Sequence, residues 1–226
     1  MKRSRRIREC ESKVDATKDY ELDEALDVIK NLQGAKFDET VDLVMHLGVD
    51  PKKPDQALRG TISLPKGIGR TLRVIVFAEG EQAELALAAG ADEAAGQELI
   101  DKIQGGWLDF DVAIAVPAMM RLVGRLGRLL GPKGLMPSPK SGTVTDAVET
   151  AVQEFKAGKI EYRTDAGGNV HAPVGKKSFA VEDLKANIEA FVERIRQAKP
   201  AAAKGRYILG MTVSTTMGPG LRLAIS

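Results

Sequence analysis

The chain has one cysteine, two histidines and one tryptophan among 226 residues, and these scarcities exclude much chemistry at the outset. A lone thiol, Cys10, can form no intrachain disulfide and no cysteine-cluster zinc site, and it suits a reducing compartment. His46 and His171 have no partner at metal-ligand spacing, so no metal or cofactor is expected. No serine elbow is present, and no base lies near Cys10, so no catalytic constellation is visible. No apolar run approaches the roughly 18 residues that span a bilayer. Phosphate loops fail as well. Gly67-Ile68-Gly69 precedes a strand-like run, whereas a dinucleotide loop follows a strand and opens a helix. Gly175-Lys176 has Lys177 where a P-loop needs Ser or Thr, and Val170 where it needs the first Gly.

What is there is an uneven charge pattern behind a net charge of only +2. Up to Lys13, six cations (Lys2, Arg3, Arg5, Arg6, Arg8, Lys13) face Glu9 and Glu11. The two glutamates argue against an arginine-rich transit peptide. Between Glu79 and Lys102 the sign reverses, with seven acids against Lys102. Between Asp111 and Asp146 there is no acid at all, while Arg121, Arg125, Arg128, Lys133 and Lys140 are all cationic. A chain with one acidic flank cannot coat nucleic acid indiscriminately, so recognition would be local and shape-directed.

Periodicity predicts a first helix over 22–32 ended by Gly34, then a strand over 41–47 with alternating apolar positions. A break follows at 50–54, and 58–64 reads as another strand. The continuously apolar runs 72–78 and 112–116 suit strands buried on both faces, with helical segments at 82–89 and 97–103 between them. From Pro117, apolar positions 119, 122, 123, 126 and 130 predict one amphipathic helix, with Arg121, Arg125 and Arg128 as a basic stripe along it. Residues 160–164 and 170–174 read as a hairpin, 181–198 as a helix, and 207–214 and 221–225 as closing strands. The fold class is α/β in the centre and α+β at both ends, in two domains.

Residues 131–142, Gly-Pro-Lys-Gly-Leu-Met-Pro-Ser-Pro-Lys-Ser-Gly, carry three glycines and three prolines and must form an ordered turn system or a linker. With their flanks at 127–145 they closely resemble the central signature of the large-subunit ribosomal stalk protein family, the L-one family. Further segments agree in order: Lys36-Phe37-Asp38-Glu39-Thr40-Val41, Leu64-Pro65-Lys66-Gly67-Ile68-Gly69, Lys159-Ile160-Glu161-Tyr162-Arg163, His171-Ala172-Pro173-Val174-Gly175-Lys176 and Thr216-Met217-Gly218-Pro219. The resemblance spans essentially the whole chain. The family pattern departs at two places, with Asn where Ser138 stands and a basic residue near Ala166.

The resemblance implies an RNA-binding domain built from both chain ends, 1–66 and 160–226, with a Rossmann-like α/β domain, 67–159, inserted into it. Hinge strands near Gly67 and Lys159 are implied as well. Ribosomal RNA would be contacted by Lys36 on a phosphate, Phe37 against a ribose or base, Thr40 on a 2′-hydroxyl, and the Thr216-Met217-Gly218 turn. Lys159, Arg163, Asp165, Gly167, Gly168 and His171 are further candidates on the same surface. Arg121, Arg125, Arg128, Lys133 and Lys140 offer a second RNA foothold. Implied partners are large-subunit ribosomal RNA, exit-site tRNA and the protein's own messenger. The protein would be cytoplasmic, on the large ribosomal subunit, and monomeric when free, with no membrane partner. A rival reading is a nucleotide-using enzyme built on the central domain, which lacks a phosphate loop and an acid–base pair.

Overall fold

The computed structural model describes residues 4–53 and 55–225. Lys2 and Arg3 of the basic N-terminal stretch and Pro54 of the 50–54 break lie outside the described residues. The order begins with α1 (Arg5–Glu11), α2 (Leu22–Asn31), β1 (Thr40–Leu47) and β2 (Arg59–Ser63). Next come β3 (Val74–Phe77), α3 (Glu81–Ala88), β4 (Glu93–Ala95), α4 (Gln97–Gln104) and β5 (Val112–Ala115). Two single helical turns, α5 (Met120–Val123) and α6 (Gly127–Leu130), precede α7 (Val148–Lys156). β6 (Lys159–Arg163), β7 (Asn169–Lys176), α8 (Val181–Gln197), β8 (Ile208–Thr215) and β9 (Gly220–Leu223) follow. The mixed chain divides into two compact units: one runs to Gly69 and resumes at Ile160, and the other is Arg70–Lys159.

The first unit is organised by a four-stranded sheet in the order β7-β1-β8-β9, antiparallel throughout. Val41, Leu43, Met45 and Leu47 of β1 are buried, while the alternate residues Thr40, Asp42, Val44 and His46 are accessible. Period two therefore gives the sheet one apolar and one largely polar face. The apolar face receives α2, through Ala25, Leu26 and Ile29, and α8, through Leu184, Ile188, Phe191 and Ile195. One polar residue sits in that α8 stripe. Asn187 is 0% exposed, and its amide nitrogen donates to the carbonyls of Gly67 at 2.9 Å and Val174 at 2.8 Å. Its amide oxygen accepts from the backbone of Lys66 at 3.0 Å, so the buried group is fully engaged.

The second unit is a parallel sheet, β4-β3-β5, covered on both sides. Ile75 and Phe77 pack with Leu99, Ile103, Val123, Leu126 and Leu130 on one side. Val74 and Val76 pack with Ala86, Val148, Val152 and Phe155 on the other. Burial on both faces accounts for the absence of alternation in β3.

Four expectations are corrected. The basic N-terminal stretch, for which no element was expected, contains α1, whose N-cap Ser4 accepts from Ile7 and whose Cys10 is buried. Helix α2 stops at Asn31 because Leu32 is already extended, so Gly34 is not its cap. The helix expected from Pro117 is broken into α-turns and 3-10 turns, with Gly124 and Gly127 at the breaks. Glycine loses the most backbone freedom in a helix, and here the hydrogen bonding tightens to the shorter repeat while Val123, Leu126 and Leu130 still reach the core. The hairpin of 160–174 keeps its turn and the single bridge Thr164↔Val170, but its strands take other partners: β6 pairs with β2, and β7 with β1.

Candidate nucleic-acid interface

Two turns meet at one end of the four-stranded sheet. The turn before β1 carries Lys36, Phe37 and Asp38, and the turn between β8 and β9 carries Thr216, Met217 and Gly218. They meet because β1 and β8 are neighbours in a register that pairs Val41 with Thr215. The backbone N–H of Thr40 donates to the Thr216 hydroxyl oxygen at 3.0 Å, and the N–H of Thr216 donates to the Thr40 carbonyl at 3.0 Å. The Thr216 hydroxyl lies 3.3 Å from that carbonyl as a donor. It is therefore occupied inside the protein. The Thr40 hydroxyl accepts from Lys176 Nζ at 2.9 Å.

Beneath the turns lies Glu39, 1% exposed. Its carboxylate accepts the backbone N–H of Ala35 at 2.5 Å and of Met217 at 3.1 Å, so one side chain fastens both turns. Burial would raise its pKa, but hydrogen bonds from Thr215, Ala35 and Met217 and the charge of Lys177 prevail and hold it below the ordinary value. Arg6 of α1 stands 4.0 Å from the same carboxylate and donates to the carbonyls of Gln33 at 3.0 Å and Met217 at 2.9 Å. Lys177 donates to the Leu32 carbonyl at 2.6 Å, and Lys30 to the carbonyls of Lys177 and Phe179. These cations are spent on backbone. What the frame presents outward is apolar: Phe37 is 55% exposed and Met217 46%, beside the exposed Lys36.

The Asp165 turn lies at the other end of β1, where the Leu47 N–H donates to the Gly168 carbonyl at 3.0 Å. Seven strand steps separate Leu47 from Thr40, about 24 Å. Asp165 accepts from the backbone of Gly167 and of Asn169, both at 2.8 Å, and from the Asn169 amide, with His171 Nε2 at 3.4 Å. The two Asn169 hydrogen bonds lead in holding its pKa far below the carboxylate range. Both oxygens thus shape the turn. Gly168 has φ +79°, and a Cβ there would stand 3.1 Å from the Leu47 carbonyl oxygen.

The candidate residues therefore do not form one cluster. Lys36, Phe37, Thr40, Thr216, Met217 and Gly218 come together at one tip, and Asp165, Gly167 and Gly168 at the opposite end. His171 lies between them, paired with Val44 on the accessible sheet face. Arg163 is exposed on β6, whereas Lys159 is bound to Glu154 at 2.5 Å. In the second unit Arg121, Arg125, Arg128, Lys133 and Lys140 are all exposed.

Asp42 is the acid of the accessible face, opposite Pro173 and Ser214. Burial raises its pKa, with His171 and Lys176 opposing. A carboxyl raised on folding weakens the fold wherever it is ionised. Asp42→Asn is accordingly expected to raise the thermal midpoint at pH 7 and to leave it unchanged at pH 3, where both proteins are neutral at this position. An equal shift at both pH values would sink this account.

Sequence reading did not single out Glu39 or Arg6. A signal for Glu39 existed, since it stands in phase with the buried positions Val41, Leu43 and Met45, where an unpartnered charge is untenable. For Arg6 no local signal exists, because its partners are distant in the chain.

Comparison with known proteins gives a family and a relative of nearly the same length. The model of a family described as "Ribosomal protein L1p/L10e family" matches residues 29–219. A protein of Kosmotoga olearia named "Large ribosomal subunit protein uL1" is 55% identical over 222 residues, covering 98% of this chain and 96% of its own.

Proposed function

As the chain belongs to the Ribosomal protein L1p/L10e family, we propose that it grips folded large-subunit ribosomal RNA through the tip formed by Lys36, Phe37, Thr40, Thr216, Met217 and Gly218. The family consists of structural, RNA-binding ribosomal proteins and not enzymes, which removes the nucleotide-using enzyme as a reading of the second unit. The protein's place is the large ribosomal subunit. The observation that carries the proposal is the pairing of two exposed apolar side chains, Phe37 and Met217, with a backbone whose own polar groups are tied down beneath them. A rigid surface with apolar projections and few free charges suits an irregular RNA junction, where unstacked bases and riboses are reachable. It does not suit a smooth duplex.

Finer parts of the reading follow from the same site. The protein belongs to the mobile stalk, and its movement as a body assists release of deacylated tRNA at the exit site. The tip also recognises a similar fold in the protein's own messenger and represses its translation. Arg163 and His171 extend the RNA surface along the first unit. Arg121, Arg125, Arg128, Lys133 and Lys140 give the second unit its own foothold, supported by their exposure on a segment without acids.

The test is binding to a ribosomal stalk RNA fragment across a salt series, with an equal-length DNA duplex as competitor. Binding carried by six or more phosphate contacts loses roughly 10³-fold or more between 50 and 200 mM salt. Tip recognition is expected to lose less and to ignore the DNA. Thr216→Val removes the hydroxyl's bonds to Thr40 while the backbone bond between the two residues stays, costs about 1 kcal/mol in stability, and is expected to weaken RNA binding. Equal, salt-steep binding to both nucleic acids would overturn the proposal.

A further inference from the structure

Glu193 is the last acidic residue of the chain, and after it come Arg194, Arg196, Lys199, Lys204, Arg206 and Arg222. A helix C-terminus favours cations in its last turn, which accounts for Arg194 and Arg196 in α8. It does not account for the other four, which lie beyond the helix and are exposed. Lys204, Arg206 and Arg222 make no side-chain ion pair or hydrogen bond among the described residues, and Lys199 only stands 5.8 Å over the Tyr207 ring.

The fold sets these charges in a row. Arg222 is outward on β9, paired with Thr212, so it stands on the accessible face partway along the sheet from the Thr216–Met217 tip. Arg206 and Arg222 line one depression of about 470 Å³, together with Gly210, Leu209 and Asp19. Arg206 and Lys199 line a second of about 310 Å³, beside Tyr207 and Ile208. Arg206 lines both, so the two depressions are neighbours. Tyr207 lines the second, and its hydroxyl is buried without a hydrogen-bond partner among the described residues. Asp19 is the one acid lining the first, and Glu193, on α8, lines neither.

Building on the proposed RNA contact at the tip, we propose that the RNA does not end there. Its sugar-phosphate backbone continues over the accessible face beside β8 and β9, with phosphates taken by Arg222, then Arg206, then Lys199. The track runs beside β8, whose length is about 24 Å at the usual rise per residue. The tip would select the RNA and the track would add a sequence-independent grip. Unpaired cations side by side on one face, in a segment without acids, are the footprint of a polyanion.

The double variant R206Q/R222Q, compared with the unaltered protein and with Thr216→Val, tests this on the stalk RNA fragment. Removing two phosphate-binding cations should make the slope of log affinity against log salt shallower by roughly 1.4 to 1.8, and hydroxyl-radical protection should shorten on one side of the RNA. The thermal midpoint should not move. An unchanged slope and footprint would overturn the track while leaving the tip intact. So would unchanged RNA binding with failed attachment to large subunits stripped of this protein, which would make this face a protein-binding surface. Failure of the unaltered protein to bind the RNA would instead defeat the tip reading itself.

Discussion

Glu39→Ala is expected to destabilise the first unit by about 3–5 kcal/mol, the range seen when one partner of a buried charged network is removed. The reason is the number of groups left behind. The amides of Ala35 and Met217 lose their acceptor, and Arg6 loses its anion, while both turns stay folded over a void. Native-state hydrogen exchange checks it directly, because the Ala35 and Met217 amides should lose protection before the sheet does. The carboxylate also makes stability depend on pH. Its pKa is lowered on folding, so its contribution is complete above the ordinary glutamate value of 4.5 and is lost as pH falls through the folded value. The alanine variant should lack that acid-side loss. A cost near 1 kcal/mol, or an unaltered acid limb, would show that the two turns hold themselves.

Phe37→Ala and Met217→Ala should behave in the opposite way. Neither side chain is needed by the fold, since each is about half exposed at the tip. Stability should therefore stay within about 0.5 kcal/mol of the unaltered protein. RNA affinity should fall by about 1–3 kcal/mol for Phe37, the usual worth of a base stacked on an aromatic ring, which is roughly 5- to 150-fold. Isothermal titration with the stalk RNA and a melting curve separate the two effects. A melting point lowered along with affinity would mean that these residues pack inward, and unchanged affinity would remove the tip from the RNA surface.

How far the sequence reached depended on where each residue's partners lie. The alternation of β1 and the apolar stripe of α8 are local patterns, and both were legible because burial on one face imposes its period directly. Phe37, Thr216 and Met217 could be noticed through motif resemblance, but their meeting at one tip needs the β1–β8 register, which no local window contains. The helix expected from Pro117 failed because apolar spacing alone does not weigh two glycines. The hairpin failed because the turn chemistry around Asp165 was right while the flanking strands found better partners elsewhere. Glu39 and Arg6 show the same limit from the polar side, as their bonds reach Met217 at the other end of the chain.

β1 pairs only with β7 and β8, strands that the ribosome makes long after it. At roughly 5–20 residues per second, the 168 residues from Leu47 to Thr215 take on the order of 8 to 34 seconds to appear. Both edges of this apolar-faced strand stay open until β7 is made at Asn169–Lys176, and the edge that takes β8 stays open to the end of the interval, exposed to wrong partners. Arg70–Lys159 emerges whole in the meantime and can fold first. The growing chain therefore cannot assemble the tip that carries Phe37 and Met217, and the repression of its own messenger proposed above would have to come from finished molecules, tied to completed protein rather than to translation in progress.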